Sequence, residues 1–287
     1  MSVKPLALLT LCAAMVLAAL PASAADESAW DARLTRIEGE VIVYTADDPD
    51  GIPAEKDMPL EPGDRIGTGS DGTAEVALDP DSVIEVGPGS ELKIESTKKS
   101  DSVFGLNFGL LKAKIKLLMM RDKLRVRTPT SVSAVRGTEF AMQVEEEGDT
   151  HVGVFDEGKV SVGRTDEDSS EVSLENNQET SVRESAAPLP PQALKRFIPA
   201  RARIVFLRDR VKVLRQDWKT LSREKRLELR RLSAERFREN MKNDAKLRKK
   251  WKKQSEKRKG EREKLRKKVQ KKYKKNVDKL RRQRGGR

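Results

Sequence analysis

The chain has 287 residues, 59 of them Lys or Arg and 46 Asp or Glu, with one histidine and one cysteine. A single thiol and a single imidazole exclude a disulfide-stapled scaffold, a thiolate metal site and a cysteine nucleophile acting with a histidine cluster. A formal net charge of +13 directs attention to anionic contacts instead.

The first element is a leader. Lys4 precedes an uncharged apolar run, residues 6–20, followed by Pro21 and the small-residue triplet Ala22-Ser23-Ala24. That order is a secretory signal peptide over residues 1–24, cut after Ala24. Its 15 residues fall short of the roughly 20 that span a bilayer as a helix. Cys12 follows Leu11 and not a small residue, so it reads as an apolar filler of the leader and not as a lipid-attachment site. The mature protein is expected in the periplasm, or secreted, without thiols and without a transmembrane span.

Charge then divides the chain. Residues 192–287 hold 40 basic and 11 acidic groups, and residues 1–191 hold 19 basic and 35 acidic ones. The boundary is SAAPLPPQ, residues 185–192, a proline-rich linker or exposed turn. The expected organisation is a β domain over 25–184, the linker over 185–192 and a basic helical region over 193–287.

Within the β domain, short stretches of alternating apolar residues recur: EVIVY, TAEVAL, SVIEV, ELKIE, LKAKIKLL, KLRVRT, TEFAMQV, HVGVF, KVSVG and EVSL. Turns such as EPGD, DPDS, GPGS and DEGK separate them. Many short strands at spacings near ten residues predict an all-β architecture, and periodicity leaves sandwich, barrel and solenoid open. The stretch GTGSDG, residues 67–72, has the spacing of a dinucleotide-binding loop. The next residues, TAEVAL, alternate as a strand, so no helix N-terminus faces a pyrophosphate and the glycines read as turn residues.

Residues 63–95, then RVRTPTSVSAVRGTEFAMQV (125–144) and THVGVFDEGKVSVG (150–163), resemble the FecR domain. The features that carry the resemblance are the Gly63-Asp64 turn, the Thr68-Gly69 turn, the threonine-proline before the second strand pair, and the V-R-G-T-x-F segment with Arg136, Gly137 and Thr138. The resemblance implies a mainly β fold, an irregular β-solenoid or roll, used for protein contacts and without catalytic residues to carry over. Transmembrane signalling members place a cytoplasmic, sigma-factor-contacting segment before a membrane span. A cleavable leader fits the stand-alone exported members instead.

Arg136 and Gly137 are expected to act structurally, the guanidinium tying loop carbonyls beside a fixed turn. His151 is the only histidine and sits in a strand, without the companions of a zinc site or a catalytic cluster. The acidic turns DDPDG (47–51) and DEDSSE (166–171) lack the oxygen spacing of a calcium loop and read as solvated loops. No enzyme activity, cofactor or metal is expected.

From Pro199 onward the chain reads as helix. Leu207, Val211, Leu214, Trp218 and Leu221 step by four and three, one apolar stripe. Ser222 with Glu224 marks a second helix start, whose stripe is Leu227, Ala234, Phe237 and Met241. Beyond Ala245 lysine dominates. Candidate polyanion contacts are Lys249, Lys250, Lys252, Lys253, Lys257, Arg258, Lys259, Arg266, Lys267, Lys268, Lys271, Lys272, Lys274 and Lys275. Expected partners are an envelope protein for the β domain and anionic lipid, lipopolysaccharide or polysaccharide for the tail; export disfavours nucleic acid. A tail folded back on its own acidic domain is the competing outcome. The sequence thus predicts an exported, non-enzymatic binding or scaffold protein, with a periplasmic sensory subunit that relays a signal to a membrane partner as the alternative.

Overall fold

The structure, a computed structural model, describes residues 29–284 except 117, 120–121, 166–169 and 185; past residue 261 it describes side chains only at 263, 264 and 267. The leader expected over residues 1–24 lies outside the described residues, as does most of the second acidic turn.

The chain opens with β1 (Ala32–Glu38), β2 (Val41–Tyr44), the short β3 (Ile52–Pro53) and β4 (Arg65–Thr68). After them come β5 (Thr73–Leu78), β6 (Ser82–Val86), β7 (Glu91–Ser96) and the 13-residue β8 (Ser102–Lys114). Next are β9 (Leu124–Arg127), β10 (Ser131–Val135), β11 (Glu139–Val144) and β12 (Thr150–Val154). The β region ends with β13 (Val160–Arg164), β14 (Glu171–Leu174), β15 (Gln178–Val182) and β16 (Gln192–Ala193).

Strand β8 belongs to two sheets. Its first part pairs with β7 and, in parallel, with β9. Its second part pairs with β6 and β11, both antiparallel. One sheet therefore runs β3-β2-β4-β7-β8-β9-β10-β13-β14 and the other β1-β5-β6-β8-β11-β12-β15-β16. Leu34, Val76, Ile84, Phe140 and Val152 of the second meet Val43, Ile66, Leu92, Phe104 and Val162 of the first in one core. The mainly β expectation stands. The ladders, antiparallel except for the parallel β8–β9 pair, form a double sheet that folds over at β8, and they do not by themselves establish the irregular β-solenoid or roll expected from the resemblance.

The fold-over needs Gly109. Its φ is +96°, and a Cβ there would lie 2.5 Å from Ser90 Cα, where the Ser90 hydroxyl accepts the Leu110 N–H at 2.9 Å. Gly109→Ala is expected to lower stability by about 2–4 kcal/mol, combining left-handed backbone strain with overpacking. Urea denaturation checks this; a loss below about 1 kcal/mol would show that the crossing adapts to a side chain.

Three helices complete the chain, α1 (Arg201–Asp217), α2 (Arg223–Asn243) and α3 (Ala245–Arg284). The expected stripe of α1 is buried at Leu207, Val211 and Leu214, with Ile204 added. Trp218 leaves the helix and lies 3.9 Å beneath the Arg33 guanidinium. Ser222 caps α2, accepting the Lys225 N–H at 3.3 Å. Of the second stripe, Ala234 is buried and Phe237 packs on the core, whereas Leu227 is exposed. Asp244 separates α2 from α3 by accepting the N–H groups of Lys246 and Leu247 at 2.8 and 3.0 Å.

Candidate functional site

The face of the second sheet that points away from the core carries an acidic row. Glu75 of β5 and Glu85 of β6 stand directly opposite one another, an arrangement of like charges that destabilises a bare sheet. Glu139 of β11 lies farther along the same sheet. These carboxylates are 1%, 2% and 0% exposed, so each requires a partner.

Helix α1 supplies those partners. Arg210 reaches Glu75 at 2.8 Å, and Arg203 pairs with Glu85, which Lys112 also meets at 3.0 Å. Arg208 forks both oxygens of Glu139 and extends to Asp156 at 2.7 Å. Arg201 pairs with Asp156, and Arg215 with Asp81 at 2.7 Å. Arg201, Arg208 and Arg215 recur every seven residues on one flank, and Arg203 and Arg210 do so on the other. Between these two rails the Ile204, Leu207, Val211, Leu214 stripe packs on Ala77, Val83, Ala141 and Phe155, with Leu194 and Phe197 beside it. Gly153 makes room: a Cβ there would lie 2.8 Å from Leu194 Cδ1.

The same rule continues along α2 and into α3. Arg226 meets Asp31 at 3.2 Å, Arg236 meets Glu55 at 2.6 Å and Arg238 meets Asp48 at 2.8 Å. Ser233 donates to Glu55 at 2.8 Å. Arg258 reaches Glu40 at 2.8 Å, and Lys259 pairs with Asp50. In the acidic turn at 47–51, Asp48 and Asp50 thus meet helix cations while Asp47, Pro49 and Asp50 remain exposed, as a solvated loop is. Arg258 and Lys259, expected among the polyanion contacts, are turned toward the β unit for the same reason.

Residues 64–161 match the family model described as FecR protein. The chain carries a FecR domain. Two crystal structures of a candidate anti-sigma factor from Parabacteroides distasonis ATCC 8503, at 1.65 and 2.50 Å resolution, are similar at 18% identity and a TM-score of 0.39. The match covers 46% of this chain and 61% of those chains, less than two thirds of their length. No curated protein sequence matches the chain. The FecR domain begins just before β4 and ends within β13, so its sealing helices lie outside the match.

The turn residues that carry the resemblance make mainly local contacts. Gly63 has a φ of +99°. Asp64 is 2% exposed, accepts the Glu61 N–H at 2.9 Å and receives Arg230 of α2 at 2.6 Å. Thr68 donates to the Gly87 carbonyl at 2.7 Å and accepts the Ser90 N–H at 2.8 Å. At the second turn Gly137 has a φ of +63° and Thr138 donates to the Glu157 carbonyl at 2.7 Å. The Arg136 side chain is exposed; its backbone N–H, and not the guanidinium expected to tie the loop, binds the Lys159 carbonyl at 3.2 Å.

The amides of the G-x-G-x-x-G stretch are spent internally, Gly69 on the Glu40 carbonyl at 2.8 Å and Gly72 on that of Gly69 at 3.0 Å. The cleft of about 400 Å³ beside it is lined by Tyr44 and Phe108, by the carboxylates Glu40, Glu91 and Glu261 and by the cations Lys257 and Arg258. His151 bridges Glu145 at 3.0 Å through Nε2 and Ser181 at 2.7 Å through Nδ1. Burial, then the charge of Arg196, lowers its pKa below the ordinary histidine value. In the neutral ring Nε2 donates to Glu145, so Nδ1 accepts from the Ser181 hydroxyl. Arg196 also pairs with Glu145, at 3.0 Å, making this a network that ties β12 and β15 to the approach to α1.

On α3 Lys249, Lys250, Lys252, Lys253 and Lys257 are exposed, and Lys267 pairs with Glu263 at 2.6 Å. The side chains of Arg266, Lys268, Lys271, Lys272, Lys274 and Lys275 lie outside the described residues. No described helix is long and apolar enough to cross a membrane.

Proposed function

We propose that this is an exported, non-enzymatic regulatory scaffold of the cell envelope. Its FecR unit would meet a protein partner, and its outer helix would meet an anionic envelope component. The supporting observation is the partition of positive charge. Residues 201–238 hold eleven Arg and three Lys, and residues 246–279 hold four Arg and fifteen Lys. Nine of those eleven arginines pair with carboxylates of the β unit, as a rigid guanidinium does well. The exposed lysines of α3 are compact, solvated charges suited to a diffuse anionic surface.

In this reading the leader directs export, and mature protein begins at Ala25. The partner is tested with a photoreactive residue in place of Arg136, cross-linked in intact cells. One discrete adduct is the expected result, and recovery of monomer alone would count against a protein partner. The second reading, a sensory subunit relaying an envelope signal, is favoured by the FecR domain, since signalling proteins carry the domain this sequence resembles. An adduct with an integral membrane protein would support that reading, and a soluble partner would support the scaffold.

A further inference from the structure

We propose that α3 beyond Glu261 is an amphipathic helix that lies on the surface of an anionic lipid bilayer. The proposal rests on the anion-binding reading of the tail and names its partner. Glu261 lines the cleft beside the FecR turn, just after Arg258 and Lys259 have met Glu40 and Asp50. The helix continues to Arg284, a further 23 residues or about 35 Å of rise. This length carries thirteen Lys or Arg and two Asp or Glu.

Charge alone would fit any polyanion. What favours a bilayer is the second pattern on the same segment. Leu265, Val269, Tyr273, Val277 and Leu280 recur at steps of four, four, four and three, positions that share one face of a helix. A nucleic acid or acidic polysaccharide binds through cations and leaves aliphatic residues without a role. A bilayer uses both: the apolar face sinks below the headgroups, Tyr273 suits the interface, and lysines extend their charge to lipid phosphates. The contrast with α1 supports this. There the residues beside the apolar stripe are arginines paired with particular carboxylates; here they are mostly lysines with a fixed-charge lipid surface as the complementary partner.

The test uses the whole mature chain, residues 25–287, sedimented with vesicles of phosphatidylcholine alone or with phosphatidylglycerol added. Binding is expected only with the anionic lipid, and raising the salt from about 0.05 to about 0.5 M should weaken it at least tenfold. A variant with Leu265→Ser, Val269→Ser, Val277→Ser and Leu280→Ser keeps every charge. It should lose vesicle binding by about tenfold or more while its retention on heparin is unchanged. If the variant binds anionic vesicles as the wild type does, the bilayer proposal fails and the broader anion reading survives. Tighter binding of the wild type to duplex nucleic acid than to vesicles at equal phosphate would overturn it in favour of that partner. Binding to neither vesicles nor heparin at low salt would sink both readings.

Discussion

Arg208→Ala will cost the protein about 3 kcal/mol, because it strands a carboxylate that has no access to water. Glu139 is 0% exposed, and Arg208 covers both of its oxygens. Lys114 stays near at 3.4 Å, which holds the expected loss at the lower end of the range for a broken buried pair. The paired change Arg208→Met with Glu139→Leu removes both charges together, and its stability should lie within about 1 kcal/mol of wild type. Urea titrations of the single and double variants separate a charge that is costly to strand from one that stabilises in itself. A double variant as unstable as the single one would refute this account. The same residue contributes to the acid limb through Asp156. Arg208 first, and Arg201 after it, hold the Asp156 carboxyl below its ordinary value of 3.8 against the opposing effect of burial. A depressed folded pKa means that this stabilisation is complete above the ordinary value and is lost as pH falls through the folded one. The contribution of Asp156 should therefore be level from about pH 5 upward and be lost below about pH 4, so that acid destabilisation in that range is shallower in Arg208→Ala than in the wild type.

The hairpin strands were legible because one face of each is covered and the other less so, which imprints alternation. The first part of β8 was not legible. Residues 102–106 are buried throughout, so alternation disappears, and Gly105 and Gly109 imitate turn punctuation where the strand in fact crosses between sheets. The α1 stripe and the Ser222 cap could be read directly. The arginine rails at spacing seven were equally present in the sequence, yet a net charge treats arginine and lysine alike and so conceals the difference between gripping and exposed cations. Their partners could not be found from sequence: Arg210 and Glu75 are 135 positions apart, and only the fold brings them together.

That dependence makes α1 part of the β unit and not an appendage, so a cavity beneath the helix should be felt in the sheets. Leu207→Ala should destabilise the whole protein by about 2–5 kcal/mol. Leu207 is 0% exposed between the two arginine rails, in the cluster with Phe155, Ile204 and Val211. If α1 were an independent clasp, the deletion would release the helix alone and leave the sheets at full stability. Undocking, however, would also leave Glu75 facing Glu85 without Arg210 and Arg203, and Glu139 without Arg208, on a surface that includes the apolar Val83 and Phe155. Those costs fall on the sheet, so helix and sheet should unfold together. Hydrogen exchange provides the check, since amides of Phe140 in β11 and Val211 in α1 report the two parts separately. Equal loss of protection at both in Leu207→Ala is expected. Loss at Val211 with Phe140 unchanged would show that the helix opens by itself, and that the acidic face can be exposed while the double sheet stays folded.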